Sequence, residues 1–340
     1  MSETEFKTRH VRKRVGRNVF DTPPRISVII PVYNNAGYIR ETLDSVVGQK
    51  YREHEIIVVN DGSPDTERFE RAIKMRLEDI VYIKQRNAGI GAALNTGIEH
   101  ARGQIIVFLD GADILQPDFL AAQYVFLERH VYDMVYCDAA LFGAHSAYRR
   151  SLMEIEPSTG EATFDSLLDR SCNVIMSGTM ARRKMIVDGG MFEPERVAGH
   201  DLHLWLRMAK IGARIGYQRK QMVKHRIRTD VPSNNLSRIE DELEVLERIS
   251  RTIDLTEQQK NRTAGRIAVL EADLAIEQAK TFLEKGDYRE AAVAFRVANR
   301  QRGSLKLTVL TWLTRFAPRA VLRFYRSNRS DDVRLAPRQN

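Results

Sequence analysis

The run Ile26-Ser-Val-Ile-Ile30 decides the fold of this chain, since it is short, almost wholly apolar, largely β-branched, and followed by Pro31. Three more runs of the same kind follow it along the chain, at residues 55–60, 80–83 and 104–109. Runs of this length that stay apolar on both faces are typical of strands buried inside a parallel sheet. The four runs therefore predict four strands of one such sheet.

Segments with helical spacing separate these runs. In residues 36–49, the apolar side chains Ile39, Leu43 and Val46 fall on one stripe, as the buried face of a helix requires. Residues 88–101 bring small side chains close together, which permits tight packing. Strands that alternate with helices predict an α/β fold, with a mostly parallel sheet flanked by helices.

Composition divides the chain into four parts: a disordered basic tail, the α/β domain, an α-helical extension and a basic amphipathic helical tail, at residues 1–24, 25–231, 232–302 and 303–340. The first part is polar and ends at Pro23-Pro24, which is typical of a domain boundary. Within the α/β domain, a further strand is predicted in residues 174–183 and a further helix in residues 199–211.

The α-helical extension contains a partial repeat. Gly286-Asp-Tyr288, Ala291, Phe295 and Ala298 match the second half of a tetratricopeptide-like helical hairpin. One partial repeat cannot form a solenoid, so the match predicts an appended helical pair. Two roles stay open for this pair, which are contact with a protein partner and plain packing on the α/β domain.

The last part of the chain is apolar and basic at once. Within residues 303–326, arginines recur near helical spacing among large apolar side chains that include Trp312 and Phe316. A basic amphipathic helix with aromatic residues can lie on an anionic membrane surface, so peripheral membrane contact is one interpretation. Docking on the α/β domain is the other.

Charge and cysteine content indicate the class of binding partner and the cellular compartment to expect. The net charge of +8 favours an anionic partner, but zinc-finger spacing and an aromatic RNA-binding signature are both missing from the sequence, so nucleic acid is not expected. Two cysteines cannot form a disulfide framework, and neither a signal peptide nor a membrane-spanning run is recognisable. We therefore expect a cytoplasmic protein, with the inner face of the cell membrane as an alternative location.

The residues that follow the predicted strands carry the candidate site, because ligands of an open parallel sheet bind beyond the carboxyl ends of its strands. Pro31-Val-Tyr-Asn34 stands where a dinucleotide-binding protein has a glycine-rich turn, which argues against a dehydrogenase. After the second strand, Asp61 can accept hydrogen bonds from a base or a ribose. After the third strand, Arg86 beside a helix N-terminus suits a diphosphate.

Two carboxylates follow the fourth strand. Asp110 and Asp113 lie three residues apart on a turn that contains Gly111. Carboxylate oxygens at a strand end can hold Mg²⁺ or Mn²⁺, which bridges to substrate phosphates. The spacing therefore predicts a divalent cation as the cofactor.

Taken in order, these motifs resemble glycosyltransferase family 2, whose members have the GT-A fold, over residues 25–229. The resemblance rests on Ser27-Val-Ile-Ile-Pro-Val-Tyr-Asn34, Ile57-Val-Val-Asn-Asp-Gly-Ser63, Asn87-Ala-Gly-Ile-Gly-Ala-Ala-Leu-Asn95, Phe108-Leu-Asp-Gly-Ala-Asp113, Gly189-Gly-Met-Phe192 and His200-Asp201. It implies an inverting transfer of sugar from a nucleotide-sugar, most commonly a UDP-sugar, to a hydroxyl of a glycan, lipid-linked or protein-linked acceptor. Synthesis of a cell-surface polysaccharide or glycoconjugate is the implied setting.

The resemblance also implies roles for individual residues. Asp201 would be the general base, and Asp110 and Asp113 would hold the metal. The implied nucleotide-sugar-binding residues are Pro31, Tyr33, Asn34, Asp61, Arg86, Asn87, Asn95, Asp110 and Arg226.

The chain departs from the family pattern at two positions. The family usually has Asp-x-Asp-Asp where this chain has Asp110-Gly-Ala-Asp113, so Ala112 replaces the acid most directly tied to the metal. The usual Glu-Asp pair at the base is His200-Asp201. The alternative function is therefore a catalytically weak or inactive nucleotide-sugar-binding or scaffold protein.

Several of these residues also have a purely structural interpretation. Asn34 and Asp201 could each cap the helix that follows them, and Asp113 could cap the segment before Pro117. Arg207 could simply pair with Asp201, one turn and a half away on the same helix.

Overall fold

The computed structural model describes residues 12–15, 23–143, 150–194, 199–228, 235–318 and 320–322. The chain forms two compact units, residues 1–229 and 230–340. The first unit is built on a sheet and the second on helices.

The described strands of the first unit are β1 Arg12–Val15, β2 Ile26–Val32, β3 His54–Asp61, β4 Val81–Gln85, β5 Ile105–Phe108, β6 Ile114–Leu115, β7 Met134–Gly143, β8 Thr179–Arg182 and β9 Ile215–Ile227. They form one sheet in the order β1-β4-β3-β2-β5-β8-β7-β9-β6. The segment β4-β3-β2-β5 is parallel, while β1 and β8 run antiparallel to the strands beside them.

The helices of this unit are α1 Ile39–Val47, α2 Thr66–Ala72, α3 Ile90–His100, α4 Phe119–Arg129, α5 Leu152–Ile155, α6 Phe164–Leu168, α7 Arg183–Asp188 and α8 His200–Lys210, with a short 3-10 helix at Lys74–Arg76. The sheet mixes parallel and antiparallel strands and is flanked by helices, as expected for the GT-A fold.

The four strands predicted from the apolar runs are β2, β3, β4 and β5, and the prediction of a parallel arrangement is confirmed. All of β2 and β5, and β3 beyond His54, are buried, as their continuous apolar sequences require. β2 continues through Pro31 to Val32, two residues past the end of the apolar run at Ile30. Proline is tolerated there because β2 pairs with β5 only as far as Ile29.

Both predicted helices of this region begin later than expected. Residues 36–38 form a turn, and α1 starts at Ile39 with Tyr38 as its N-cap residue. Helix α3 starts at Ile90 because Gly89 has φ of +95°. Once started, α1 buries Ile39, Leu43 and Val46, which is the predicted stripe.

Four strands, β1, β7, β8 and β9, differ from the expectations or go beyond them. Residues 12–15, expected to be disordered, form β1 and pair antiparallel with β4, while the rest of the predicted tail up to residue 22 lies outside the described residues. β7 and β9 pair in parallel and were not predicted, since half-exposed residues interrupt their apolar pattern. The strand predicted within residues 174–183 is confined to β8.

The second unit contains α9 Asn235–Thr252, α10 Glu257–Lys285, α11 Tyr288–Arg302 and α12 Leu305–Phe316. Helices α10 and α11 form a hairpin in which Ala291, Phe295 and Ala298 are buried, at the positions of the repeat-like pattern. Gly286 ends α10 with φ of +88° and so allows the turn. No helix in the described ranges is long and apolar enough to cross a membrane.

Candidate functional site

The loops that follow β2, β3, β4 and β5 meet at one edge of the sheet, because parallel strands end on the same side. Hydrogen bonds join the loop after β2 to the loop after β3, and Asp61 at the end of β3 to the loop after β4. The predicted site residues from Pro31 to Asp113 all belong to these strands and loops or, in the case of Asn95, to the helix between two of them.

The loop after β2 is held by the loop after β3. The backbone N–H of Asn34 donates to Ser63 Oγ at 2.7 Å, and the N–H of Ala36 donates to Asp65 Oδ2 at 2.8 Å. Asn34 therefore does not cap a helix, and its left-handed backbone turns the chain at the sheet edge. The ring of Tyr33, which is 49% exposed, lies at the surface of this edge.

Asp61 fixes the loop after β4. Its Oδ1 accepts hydrogen bonds from Gln85 Nε2 at 2.8 Å and the N–H of Ala88 at 2.9 Å, and its Oδ2 accepts from the N–H of Gly89 at 2.8 Å. The carboxylate is only 4% exposed, so these bonds replace most of its hydration. The loop that it holds presents Arg86 and Asn87 to solvent.

Gly62 allows the two loops to approach closely. Its φ is +63°, and a Cβ there would lie 2.6 Å from the backbone nitrogen of Asn87. Any other residue would push Asn87 away from the edge. The sequence Asp61-Gly-Ser63 is thus more than a turn, since each of its residues contacts a neighbouring loop.

Asp110 is half-buried just beyond the end of β5. Its N–H donates to Ser177 Oγ at 3.0 Å, and its Oδ1 accepts from the N–H of Ala112 at 2.8 Å. Burial, followed by the charge of Asp113, raises the pKa of the Asp110 carboxyl above its ordinary value. A carboxylate that is desolvated beside a second one is a favourable place for a bound cation.

Asp113 has a different environment from the one expected. Its side chain is 1% exposed, Oδ2 lies 2.9 Å from His225 Nδ1, and Oδ1 accepts from the N–H of Arg226 at 2.9 Å. Both oxygens are thus engaged at the end of β9, and Asp113 does not cap a helix. Asp113 as a metal ligand stays a prediction, since each of its carboxylate oxygens has a second lone pair beside the one engaged here.

Arg226 is held inside the protein rather than extended towards a ligand. Its Nε donates to the carbonyl of Ala112 at 3.0 Å, and one terminal nitrogen lies 2.7 Å from Glu41 Oε2. The guanidinium also lies 4.9 Å from the ring centroid of Tyr38 and 4.3 Å from that of Phe142. These contacts position the turn that contains Ala112.

Arg228 is a site residue that the sequence analysis missed. It hydrogen-bonds to the side chain of Asn35 and donates to the carbonyl of Asn34 at 3.0 Å, so it joins the end of β9 to the loop after β2. Its charge also acts on Asp110. The available signal was its spacing, since residues two apart in an extended segment share a face, and Arg226 was already a candidate.

Asn95 and Arg207 both hold the turn that contains the Gly189-Gly-Met-Phe192 motif. Asn95 Nδ2 donates to the carbonyl of Phe192 at 2.7 Å, and the N–H of Phe192 donates back to Asn95 Oδ1 at 3.0 Å. Arg207 donates to the carbonyls of Gly189 and Met191. Asn95 therefore supports the site instead of lining it, and Arg207 is engaged with this turn rather than with Asp201.

Asp201 lies in the first turn of α8, whose N-cap residue is Gly199, so Asp201 is not the cap. Its carboxylate is half-buried and accepts a hydrogen bond from the N–H of Leu202 at 2.8 Å. The helix dipole stabilises a negative charge at this position. The ring of Phe192 connects α8 to the sheet, with centroids 5.8 Å from His200 and 5.2 Å from Phe108.

The described side chains do not form a ready metal centre. No group of three or more His, Cys, Asp or Glu side chains within the described ranges could hold a metal ion by itself. Asp110 remains as a carboxylate at the sheet edge, beside the buried methyl group of Ala112. A small divalent ion commonly takes only one or two carboxylates from a protein and its other ligands from substrate phosphates and water, so Asp110 fits such an ion.

The sequence of the α/β domain is similar to that of a known protein family. The model of Glycosyl transferase family 2 matches residues 27–190. An uncharacterized glycosyltransferase of Rickettsia prowazekii (strain Madrid E) is 31% identical over 229 residues, which cover 64% of this chain and 70% of the relative. Glycosyltransferase GlyA of Streptococcus pneumoniae serotype 4 is 27% identical over 310 residues, covering 84% of this chain but 43% of the relative. The chain thus spans less than half of some relatives, and 41% of one from Rickettsia bellii.

Solved structures agree with the fold. S. aureus TarS 1–349 in complex with UDP-GlcNAc superposes with a TM-score of 0.58 at 20% identity, over 89% of this chain and 92% of that chain. A mannosyltransferase from Pyrobaculum calidifontis, in complex with GDP-Man and Mn²⁺, gives a TM-score of 0.54 at 21% identity, over 90% and 83%. Similarity at this level of identity shows the fold alone.

Proposed function

Because the chain belongs to glycosyl transferase family 2 and is therefore a glycosyltransferase, we propose that it moves a sugar with inversion from a UDP-sugar to an acceptor hydroxyl. The acceptor we propose is a glycan, lipid-linked or protein-linked molecule in cell-surface polysaccharide or glycoconjugate synthesis. The observation that carries the proposal is the meeting of four strand-end loops at one sheet edge, with the Asp61 carboxylate fixing one of them.

The donor would bind along this edge. Exposed Tyr33 offers a ring for the base, and the buried Asp61 holds Arg86 and Asn87 where they can reach the ribose and the diphosphate. The N-terminus of α3 follows the same loop and adds a favourable field for phosphate. A UDP-sugar is our first choice because the TarS structure contains UDP-GlcNAc, although the mannosyltransferase of the same fold contains GDP-Man.

Asp201 would act as the general base. The acceptor oxygen forms a bond to the anomeric carbon from the face opposite the nucleotide, while Asp201 takes the hydroxyl proton. The bond between the anomeric carbon and the β-phosphate oxygen breaks, and the nucleoside diphosphate leaves with its electron pair. A positioned base of this kind contributes about 10²- to 10⁴-fold to the rate.

A divalent cation, Mg²⁺ or Mn²⁺, is part of the proposal. When bound, such an ion neutralises charge on a departing diphosphate. Asp110 and Asp113 would hold it together with the donor, and His225 and the N–H of Arg226 would orient the Asp113 carboxylate. The positive charges of Arg228 and His225, which act on Asp110, would add to the charge of the cation near the diphosphate.

A second candidate function is a catalytically weak or inactive protein that binds a nucleotide-sugar and serves as a scaffold. The observation in its favour is Ala112, which is buried beside Asp110 at the position where family members carry an acid. The helical hairpin of α10 and α11 would then provide the surface for a protein partner. Either function is compatible with a cytoplasmic location, which we also propose.

Donor binding and turnover distinguish the two candidates. We would titrate the purified chain by calorimetry with UDP-, GDP- and dTDP-sugars, with and without Mn²⁺, and follow release of nucleoside diphosphate. Binding of one donor that is tightened by Mn²⁺, together with diphosphate release on adding acceptor glycans, supports the transferase. Binding without release under any acceptor supports the scaffold, and binding of no donor contradicts both.

A further inference from the structure

Helix α12 packs on the second unit through only one of its faces. Leu307 and Thr314 are buried, while five large apolar side chains on the opposite face are exposed. These side chains, which we call the apolar stripe, are Leu305, Val309, Trp312, Leu313 and Phe316. They recur at intervals of three, four or one residues and so form a continuous band along the helix.

The apolar stripe is exposed to an unusual extent for residues of this size. Leu305 is 84% exposed, Trp312 is 64% exposed and Phe316 is 62% exposed. The rings of Trp312 and Phe316 contact each other, with centroids 4.6 Å apart. Tryptophan is enriched at the boundary between lipid and water, where its ring contacts acyl chains and its N–H stays hydrated.

Positive charge borders the apolar stripe. Arg315, Arg289 and Arg296 line a groove of about 450 Å³ between α11 and α12, and Phe316 of the stripe lines it as well. None of the side chains that line this groove is acidic. Lys306 lies on the other flank of the stripe, about 75° around the helix from its centre at roughly 100° per residue.

The sequence around α12 continues this charge pattern. Residues 303–330 contain six basic side chains and no acidic one. The basic side chains beyond α12 are Arg319, Arg323, Arg326 and Arg329, and their positions are known from the sequence only. A segment of this length whose charged side chains are all basic favours an extended anionic surface as the partner, rather than a small acidic ligand.

We propose that α12 docks on an anionic phospholipid surface, with the apolar stripe among the upper acyl chains and Arg289, Arg296 and Arg315 against the headgroup phosphates. Long basic side chains beside an apolar helix face can reach the headgroups while their stems stay in contact with the lipid. A second copy of the chain is a poorer occupant, because two such surfaces would bring their arginines together. The proposal does not depend on the proposed sugar transfer.

Vesicle binding by the full chain tests the proposal directly. We would sediment it with vesicles of phosphatidylglycerol and phosphatidylcholine, and with vesicles of phosphatidylcholine alone, at low and high salt. Binding should require phosphatidylglycerol and weaken as salt rises, since surface charge is screened within about 8 Å at physiological ionic strength. Fluorescence gives a second readout, because Trp205 is fully buried and a blue shift on binding therefore reports Trp312.

Substitutions at exposed positions test the apolar stripe and the arginines one at a time, without removing buried side chains. Trp312→Glu should abolish sedimentation with vesicles, and Arg289→Gln with Arg296→Gln should weaken it about fivefold per charge. Val269→Glu and Arg262→Gln are the matched controls, being exposed positions on α10, and should leave binding unchanged.

Three results would overturn the proposal. One is equal binding to vesicles of phosphatidylcholine alone, which would remove the role of the arginines. Another is sedimentation by Trp312→Glu at the level of the unmodified chain. The third is self-association that Trp312→Glu abolishes in a chain that binds no vesicle, which would make a second copy the occupant. All of these readouts omit donor and acceptor, so they are independent of whether the chain transfers sugar.

Discussion

Asp113 and His225, 112 positions apart in the sequence, lie 2.9 Å apart between Oδ2 and Nδ1. The contact joins the loop after β5 to the end of β9, and the N–H of Arg226 completes it by donating to the other carboxylate oxygen. Burial alone would lower the pKa of His225, but the hydrogen bond and charge of Asp113, with the charge of Asp110, raise it overall. The protonated form of His225 is therefore stabilised in the folded protein.

Replacing His225 should destabilise the protein in a pH-dependent way. His225→Ala removes one partner of a buried carboxylate, and because His225 itself is 44% exposed, we expect a loss of only about 1 kcal/mol in the free energy of unfolding. A histidine whose folded pKa is raised contributes stability fully below its unfolded pKa, about 6.5, and loses it as pH rises through the folded value. Denaturant unfolding from pH 5.5 to pH 9 should show the gap between the two proteins closing. A constant gap would mean that the charge of His225 does not matter.

Substituting the proposed base should separate binding from chemistry. Asp201→Asn keeps the size of the side chain and its place in α8, so calorimetry should find donor affinity unchanged while kcat falls by about 10²- to 10⁴-fold. The control is Asp118→Asn, an exposed acid just before α4, which should keep full activity. Normal turnover by Asp201→Asn would show that another group takes the proton.

Restoring an acid beside Asp110 should strengthen metal binding. Ala112→Asp supplies the carboxylate that the family pattern has and this chain lacks, so the affinity for Mn²⁺ in the presence of donor should rise, about tenfold for each 1.4 kcal/mol gained. Ala112→Asn, of equal size and without charge, should give no increase. Thermal unfolding of both variants checks that the buried position accepts the larger side chain. Unchanged Mn²⁺ affinity in a folded Ala112→Asp protein would argue against a metal at Asp110.

Weakening the hold of Asp61 on its loop should reduce donor affinity. In Asp61→Asn, an amide NH₂ must face at least one of the donors that now point at the carboxylate, which are Gln85 Nε2 and two backbone N–H groups. We expect a cost of about 1–3 kcal/mol in stability and a loss of donor affinity of about tenfold or more. Glu78→Gln, at an exposed position on the same unit, serves as control. Full donor affinity in Asp61→Asn would remove Asp61 from the binding site.

The parts of the fold that the sequence predicted correctly are those with an unmixed pattern. β2 and β3 are buried on both faces, so their apolar runs are continuous and easily recognised. Burial along β9 comes in blocks, with residues 215–216 and 222–223 buried and residues 219–221 exposed, and the strand carries Lys220 and Lys224, so its sequence does not resemble a buried strand. The segment just before α1 is held by tertiary contacts that a local pattern does not show, since the N–H groups of Asn34 and Ala36 donate to Ser63 and Asp65.

The candidate site, like the fold, was predicted from the sequence only in part. Motif order located the loops, because residues after parallel strands must meet whatever their detailed contacts are. The partner of each side chain was not predictable, since a carboxylate such as Asp113 has the same identity whether it binds a metal or His225. Asn95 illustrates the point: its amide forms two hydrogen bonds with the backbone of Phe192, 97 positions further along the chain.

The long connection from Asp113 to the end of β9 has a consequence for the order in which the protein is made. The loop after β5 emerges from the ribosome more than a hundred residues before the groups that fix it, so it cannot take its final form until β9 has been synthesised and paired. Pairing over such a sequence separation is slow compared with local structure. The candidate site of the first unit is therefore completed late in folding. A chain whose synthesis stops before β9 would have most of its sheet but an incomplete site.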